Sequence, residues 1–200
     1  MAPQRTPRRD SEQRRRQIAQ AALQVLGDAG VRGLTHRAVD SAAGLTSGSV
    51  NYHAPTRQRL LELALDELFA QDMAVAQQYF LTGQTWSATD LTAAFVDFIA
   101  AMTAPTARFR VIARHYLLSE SHFNRELRDR FEQQRGAFIE LVRSRFAAAG
   151  RPATVAAAEH YVILVDGLIH RQVHFARSAL DQAAIRSVID MATTTARQHR

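Results

Sequence analysis

The sequence predicts an all-α protein of about nine helices, with a small N-terminal domain and a larger C-terminal one. Apolar residues recur at helical spacing through most of the 200 residues, and the alternation typical of strands is nearly absent. Charge also divides the chain, because residues 1–59 contain ten arginines and four acidic residues, whereas residues 60–200 contain fifteen of each. The whole net charge of +6 therefore belongs to the N-terminal segment, a distribution typical of a nucleic-acid-binding domain joined to a neutral one.

The first helix is expected to follow a disordered basic arm at residues 1–10, which contains two prolines and no apolar periodicity. It would begin near Ser11 and end at Ala29. Gly30 would stop it, because glycine readily adopts the conformations that end a helix.

Two short helices around a glycine corner are predicted next. Thr35 would cap the first helix through its hydroxyl, and Gly44 would end it. Thr46 and Ser47 are the cap candidates for the second helix, at residues 48–53. This pattern predicts a helix-turn-helix, which places its second helix in the major groove of DNA. An ordinary surface hairpin is the alternative.

Six further helices complete the prediction. A long helix 4, at residues 56–81, would connect the DNA-binding domain of residues 11–57 to a domain of residues 58–200, and the loop TGQTWSATD would follow it. Helix 5 would contain residues 91–102, helix 6 would begin after Pro105, helix 7 would cover residues 123–149, helix 8 residues 153–178, and Asp181 would cap helix 9.

The composition excludes several classes of protein. The chain has no cysteine, and we find no secretion signal and no apolar run long enough to span a membrane, so we expect a cytoplasmic protein. No catalytic triad, phosphate loop or carboxylate pair stands out, so we expect neither enzyme activity nor a cofactor. His170 and His174 are spaced to face one metal ion, but the sequence places no third ligand and we predict no metal site.

A set of residues at fixed spacing extends from helix 1 to helix 4: Gly30, Leu34-Thr35, Ala43-Gly44, Gly48-Ser49-Val50, Tyr52-His53, Arg57 and Leu60-Leu61. With this pattern, residues 16–61 resemble the N-terminal domain of the tetracycline-repressor (TetR) family of bacterial transcription regulators. The C-terminal half shows no comparable motif.

Three residues depart from the family pattern. Asp40 stands where the family usually has a small residue, and we interpret its carboxylate as directed at the N-terminus of the second short helix, with a looser corner as the alternative. Ala54 stands where Phe is common, and Asn51 where a phosphate-binding Tyr is frequent.

The resemblance implies a role in DNA binding for residues of both short helices. Tyr52 as a half-buried corner aromatic and His53 as a capping or packing residue are the alternatives for those two. Thr35, Arg37 and Thr46 would position the DNA backbone; Ser47, Gly48 and Ser49 would face bases; Asn51, Tyr52, His53 and Arg57 would bind phosphates; and Arg14, Arg15 and Arg16 would reach an adjacent groove or strand.

The resemblance also implies a homodimer joined by helices 8 and 9, and hence an inverted-repeat operator. Helix 8 supports this, because it is apolar on more than one side; a monomer with a central helix 8 is the alternative. The expected interface residues are Ile163, Leu164, Gly167, Leu168, Arg171, Ile185, Val188, Ile189 and Ala192.

A ligand cavity among helices 4 to 8 is a further hypothesis, and core packing is its alternative. A small molecule bound there would release the operator. The residues expected to line the cavity are Met73, Phe95, Phe98, Met102, Phe138 and Tyr161, with Arg114, His115 or His170 as polar anchors.

Two functions follow from the sequence. The favoured one is a ligand-responsive repressor that binds a specific DNA operator. The alternative is a helical interaction module that binds nucleic acid non-specifically through its arginine-rich N-terminus.

Overall fold

The computed structural model describes residues 7–80 and 86–195, and within them it contains nine α-helices, one short 3-10 helix and no strand. The all-α prediction is therefore confirmed. Most of the predicted arm and residues 82–85 of the predicted loop lie outside the described residues. The helices are α1 (Pro7–Gly33), α2 (His36–Ala42), α3 (Ser49–His53), α4 (Arg57–Tyr79), α5 (Ala88–Thr103), α6 (Arg108–Ser121), α7 (Arg125–Ala148), α8 (Val155–His174) and α9 (Gln182–Thr195).

Helix ends follow the local signals, with two corrections. α1 begins at Pro7, inside the arm that was predicted to be disordered, because proline is well suited to the first turn of a helix. Gly30 interrupts α1 as predicted, with φ 66° and ψ −171°. α8 ends at His174 rather than at residue 178, since the chain tightens into a 3-10 turn at Ala176–Ser178.

Two predicted helix caps are confirmed. The Thr35 hydroxyl accepts a hydrogen bond from the amide of Ala38 at 3.2 Å, and the Asp181 carboxylate accepts one from the amide of Ala184 at 2.7 Å. Each cap satisfies an amide that the helix itself leaves without a partner.

The chain forms two compact units, and the first comprises the described parts of residues 1–70 and 112–129. The apolar face of the first turns of α4 belongs to its core. α1 packs against α2, and α2 against α3. Its largest fully buried side chains are Ile18, Leu23, Leu26, Val39, Leu60, Leu65, Leu68, Leu117 and Leu127.

The second unit comprises the described parts of residues 71–111 and 130–200. α5 packs against both α8 and α9, and the Thr92 hydroxyl of α5 donates to the Asp190 carboxylate of α9 at 2.9 Å. The fully buried Asp72 is paired with Arg110 at 3.1 Å, so this carboxylate is neutralised within the core. No helix among the described residues combines the length and the apolar character needed to cross a bilayer.

Candidate functional site

The corner between the two short helices is a tight glycine exit. Gly44 has φ 63°, and its amide donates to the carbonyl of Ser41 at 3.1 Å. The amide of Leu45 donates to the carbonyl of Asp40 at 2.8 Å. These two bonds form a Schellman motif, which requires the left-handed conformation that glycine adopts without strain. The predicted role of Gly44 is confirmed.

Asp40 connects α2 to the beginning of α3. Its carboxylate oxygens accept hydrogen bonds from the amide of Gly48 at 2.8 Å and from the amide of Val50 at 2.9 Å. The side chain is buried, with 4 % of the residue exposed. The interpretation that Asp40 is directed at the N-terminus of the second short helix is therefore confirmed, and the looser corner is excluded.

The predicted caps of that helix, Thr46 and Ser47, are wrong. The residue at the cap position is Gly48, with φ 90°, and no side chain there bonds to the helix. The Thr46 hydroxyl instead shares a hydrogen bond of 2.8 Å with the hydroxyl of Ser49. Because Asp40 serves as the cap from the neighbouring helix, these hydroxyls are not consumed in capping.

Two further side chains fix the corner, and sequence reasoning missed both. The Gln17 amide of α1 donates to the carbonyl of Ala43 at 2.7 Å, and the His36 Nε2–H donates to the carbonyl of Ala54 at 2.6 Å. Each bond joins residues 18 or more positions apart. No local signal announces them, because Gln and His are common on helix surfaces.

The outer face of α3 presents two aromatic rings. Tyr52 is 85 % exposed, which excludes the half-buried corner aromatic considered for it. Its ring meets that of His53 edge-on, with centroids 5.0 Å apart. A groove of about 460 Å³ brings together Arg14, Gly44, Leu45, Thr46, Ser49, Tyr52 and His53.

The electrostatic environment of this groove is positive. Arg14, Arg15 and Arg16 are exposed on α1, and Arg14 donates to the side-chain oxygen of Gln17 at 3.0 Å. Partial burial, followed by the charges of Arg14 and Arg15, lowers the pKa of His53 below its usual 6.5. The charges of Arg14 and Arg15, rather than the burial, are the part of this environment that attracts an anion.

The other residues predicted to contact DNA differ in their exposure and in their partners. Arg37, Ser47 and Asn51 are exposed. Arg57 is the first residue of α4, and its guanidinium lies 3.4 Å from both the Glu120 carboxylate and the Val31 carbonyl. Its side chain is 49 % exposed, so the guanidinium keeps surface that a phosphate could reach.

The residues predicted to line a ligand cavity are mostly core residues. Phe95, Phe98, Met102 and Tyr161 are each at most 6 % exposed, and the rings of Phe95 and Tyr161 lie 4.5 Å apart. Met73 and Phe138 are half-buried, and His170 is exposed. The other two proposed anchors, Arg114 and His115, belong to the first unit. There the Arg114 guanidinium lies 5.3 Å from the centroid of the Phe69 ring.

The residues predicted for the dimer interface fall into two groups. Leu168, Ile185 and Ile189 are 6 %, 6 % and 0 % exposed, so they pack inside the protomer and offer little surface to a partner. Ile163 is 54 % exposed. Met191, which the sequence analysis did not name, is 60 % exposed. Gly167 and Arg171 are exposed, and Leu164, Val188 and Ala192 are intermediate.

Residues 86–195 match the family described as the tetracyclin repressor-like C-terminal domain, and this match covers more than half of the chain. The chain belongs to the tetracycline-repressor family. For this TetR-family protein, the expectation that the C-terminal half has no family signature was wrong.

Solved structures support the same fold for the TetR-family chain. A proposed TetR-family transcriptional regulator from Rhodococcus sp. has a TM-score of 0.73 and 22 % identity, over 92 % of this chain and 98 % of that one. The multidrug binding protein EbrR, complexed with imidazole, has a TM-score of 0.65 and 25 % identity, over 96 % and 97 %. EbrR has also been solved with proflavin, at a TM-score of 0.59 and 24 % identity, over 90 % and 99 %. A search of the curated proteins finds no match.

Proposed function

We propose that this TetR-family regulator is a cytoplasmic homodimeric repressor that binds an inverted-repeat operator and leaves it when a small molecule binds. The observation that carries the proposal is the outer face of α3. It presents an 85 % exposed Tyr52 beside His53 and the α1 arginines, on a corner fixed by buried hydrogen bonds. An aromatic residue left this exposed on a rigid helix gains little for folding, which supports a role in contact with a partner.

DNA is the partner that fits the charge and shape of this face. Ser47, Gly48 and Ser49 at the beginning of α3 would contact base edges in the major groove. Tyr52 and His53 would donate to phosphate oxygens at the rim of the groove. Thr35, Arg37, Thr46, Asn51 and Arg57 would add contacts to the DNA backbone, and Arg14, Arg15 and Arg16 would hold the adjacent strand.

The dimer would be formed by the exposed faces of α8 and α9. Ile163 and Met191 are large apolar side chains left more than half exposed, and Gly167 would allow a close approach of two helices. A two-fold dimer presents two copies of α3, so its operator would be an inverted repeat.

The small molecule would bind in the second unit. EbrR binds imidazole and proflavin, and this chain shares its fold, which supports an aromatic or amphipathic ligand. The ring of Phe95 packs against that of Tyr161, and the ring of Phe98 packs against that of Phe80, so a ligand would have to displace one of these rings. α4 has residues in both units and would carry the change, and a ligand that prefers the off-operator conformation lowers DNA affinity by linkage.

The experiment that tests DNA recognition is a selection of bound fragments from a genomic library, followed by footprinting with excess competitor DNA. A specific repressor protects one palindrome and keeps it protected under competition. Binding that collapses with salt and leaves no footprint would instead identify the non-specific interaction module.

The experiment that tests the ligand is a panel of aromatic and amphipathic compounds, assayed by thermal stabilisation and by release of the selected fragment. We expect at least one compound to do both, because binding to the folded state raises its melting temperature. Stabilisation without release, or neither effect across the panel, argues against the induction part of the proposal.

A further inference from the structure

The buried carboxylate of Asp40 lies within the proposed DNA-binding corner but cannot itself contact DNA. It belongs to α2, yet its two hydrogen bonds go to Gly48, the cap residue of α3, and to Val50, the second residue of that helix. Both hydrogen bonds are short and charge-assisted, at 2.8 and 2.9 Å, and Asp40 is only 4 % exposed. Asp40 therefore holds the beginning of α3 against α2 from the inside.

α3 has few other means of fixing its orientation. It contains five residues, little more than one helical turn, and a helix this short is not stable by itself. Val50 is its buried side chain, and no side chain at the cap position bonds to it. The tilt and the rotation of α3 are thus set by Val50, by the bond from His36 to Ala54 at its end, and by Asp40 at its beginning.

The Asp40 bonds also determine which groups at the beginning of α3 remain available. They occupy the amides of Gly48 and Val50, while the amide of Ser49 donates to the carbonyl of Thr46 at 3.1 Å. These amides cannot then bind a DNA phosphate. The hydroxyl side chains of this segment are left to contact DNA.

We propose that Asp40 is a positioning residue for base recognition: its carboxylate sets the pose of α3, and so it determines sequence specificity rather than general DNA affinity. The proposal rests on the proposed function, since it assumes that α3 contacts bases. For a substitution that removes the Asp40 carboxylate, the proposal predicts a change in specific DNA affinity opposite to the change that the lost charge alone would cause. Removing a negative charge from a DNA-binding protein strengthens non-specific binding, whereas losing the pose of α3 weakens specific binding.

The test compares the wild-type protein with Asp40→Ala and Asp40→Asn. Asp28→Asn is the matched control, because it removes the same charge from an exposed site on α1. The DNA probes are the fragment that the wild-type protein selects from a random library and a scrambled duplex of equal length, at one fixed salt concentration. We expect Asp40→Ala to lower the ratio of specific to non-specific affinity about tenfold, an effect comparable to one mismatched base pair. Asp28→Asn should leave this ratio unchanged.

Folding is checked by circular dichroism, and Asp40→Asn provides the second variant. The asparagine side chain keeps one acceptor oxygen but turns N–H groups toward one of the two amides, so its specificity ratio should lie between those of Asp40→Ala and the wild type. Repeating the library selection with Asp40→Ala should give an altered or degenerate base preference at the positions closest to α3.

The outcomes separate this inference from the proposed function. If the wild-type protein selects no sequence, the proposed function fails. If it selects one, and folded Asp40→Ala keeps the same base preference and the same ratio, Asp40 is not a positioning residue. Equal losses of specific and scrambled-duplex binding would also overturn the proposal.

Discussion

Replacing Gly30 by alanine should destabilise the first unit for two separable reasons. Gly30 has φ 66° and ψ −171°, a region of conformational space that is essentially restricted to glycine. A Cβ atom added there would lie 3.0 Å from Cζ and 3.2 Å from the phenol oxygen of Tyr116. The first effect is backbone strain, and the second is a steric contact with the ring.

The size of each effect can be worked out separately. Forcing alanine into this backbone region costs about 1–3 kcal/mol. The contact adds about 1 kcal/mol, at the low end for overpacking, because Tyr116 is 36 % exposed and its ring can move by a few tenths of an ångström. We therefore expect a loss of about 3 kcal/mol in the free energy of unfolding. For a chain of this size this corresponds to a decrease in melting temperature of about 6–12 °C.

The assay is urea and thermal unfolding followed by far-ultraviolet circular dichroism. Gly44→Ala is the matched control, because Gly44 has φ 63° but no atom within 4 Å of an added Cβ. It should lose only about 1 kcal/mol, the cost of a left-handed alanine. In a Tyr116→Ala background, Gly30→Ala should lose its steric contribution and keep its backbone strain. The reasoning is refuted if Gly30→Ala costs no more than Gly44→Ala, or if Tyr116→Ala leaves the cost of Gly30→Ala unchanged.

Three further predictions concern the proposed interfaces and pH. Tyr52→Ala should weaken binding of the selected operator about tenfold, the loss of one hydrogen bond to a charged group. It should not lower the melting temperature, and an unchanged gel-shift titration would contradict its role. Because the pKa of His53 is lowered in the folded protein, the unfolded chain takes up this proton first as pH falls through 6.5, so stability should decrease there. His53→Gln should reduce that decrease in urea titrations, and an identical pH profile would count against it. Ile163→Asp should yield a monomer in sedimentation with little loss of stability, whereas Ile189→Ala should lose about 2–4 kcal/mol, because Ile189 is fully buried. A dimeric Ile163→Asp would place the interface elsewhere.

Much of the helical architecture could be predicted because its signals are local. Thr35 and Asp181 cap the helices that they were expected to cap, since a hydroxyl or carboxylate at this position bonds an amide three residues away. Gly30 and Gly44 have positive φ where the pattern requires a break or a corner. The corner motif and its spacing also pointed to the family, which the match of the C-terminal residues shows independently.

Residues with distant partners were less predictable. Gln17 and His36 carry no signal in the sequence, yet both fix the corner through carbonyl groups far along the chain. On α8 and α9, helical periodicity shows that apolar residues form a face but not which neighbour covers it. Both helices pack against α5, and within the protomer Ile185 and Ile189 are buried whereas Ile163 is exposed.

Asp40 shows which features follow from the sequence alone and which depend on the tertiary structure. The sequence by itself determined the helices, the glycine corner and an acidic residue in place of the family's small one, because periodicity, capping and turn geometry depend on neighbouring residues. Only the tertiary structure decided that this carboxylate is buried and caps α3 in place of Thr46 or Ser47. That choice depends on how α2 and α3 cross, and the crossing is set by residues distant in sequence that pack around the corner.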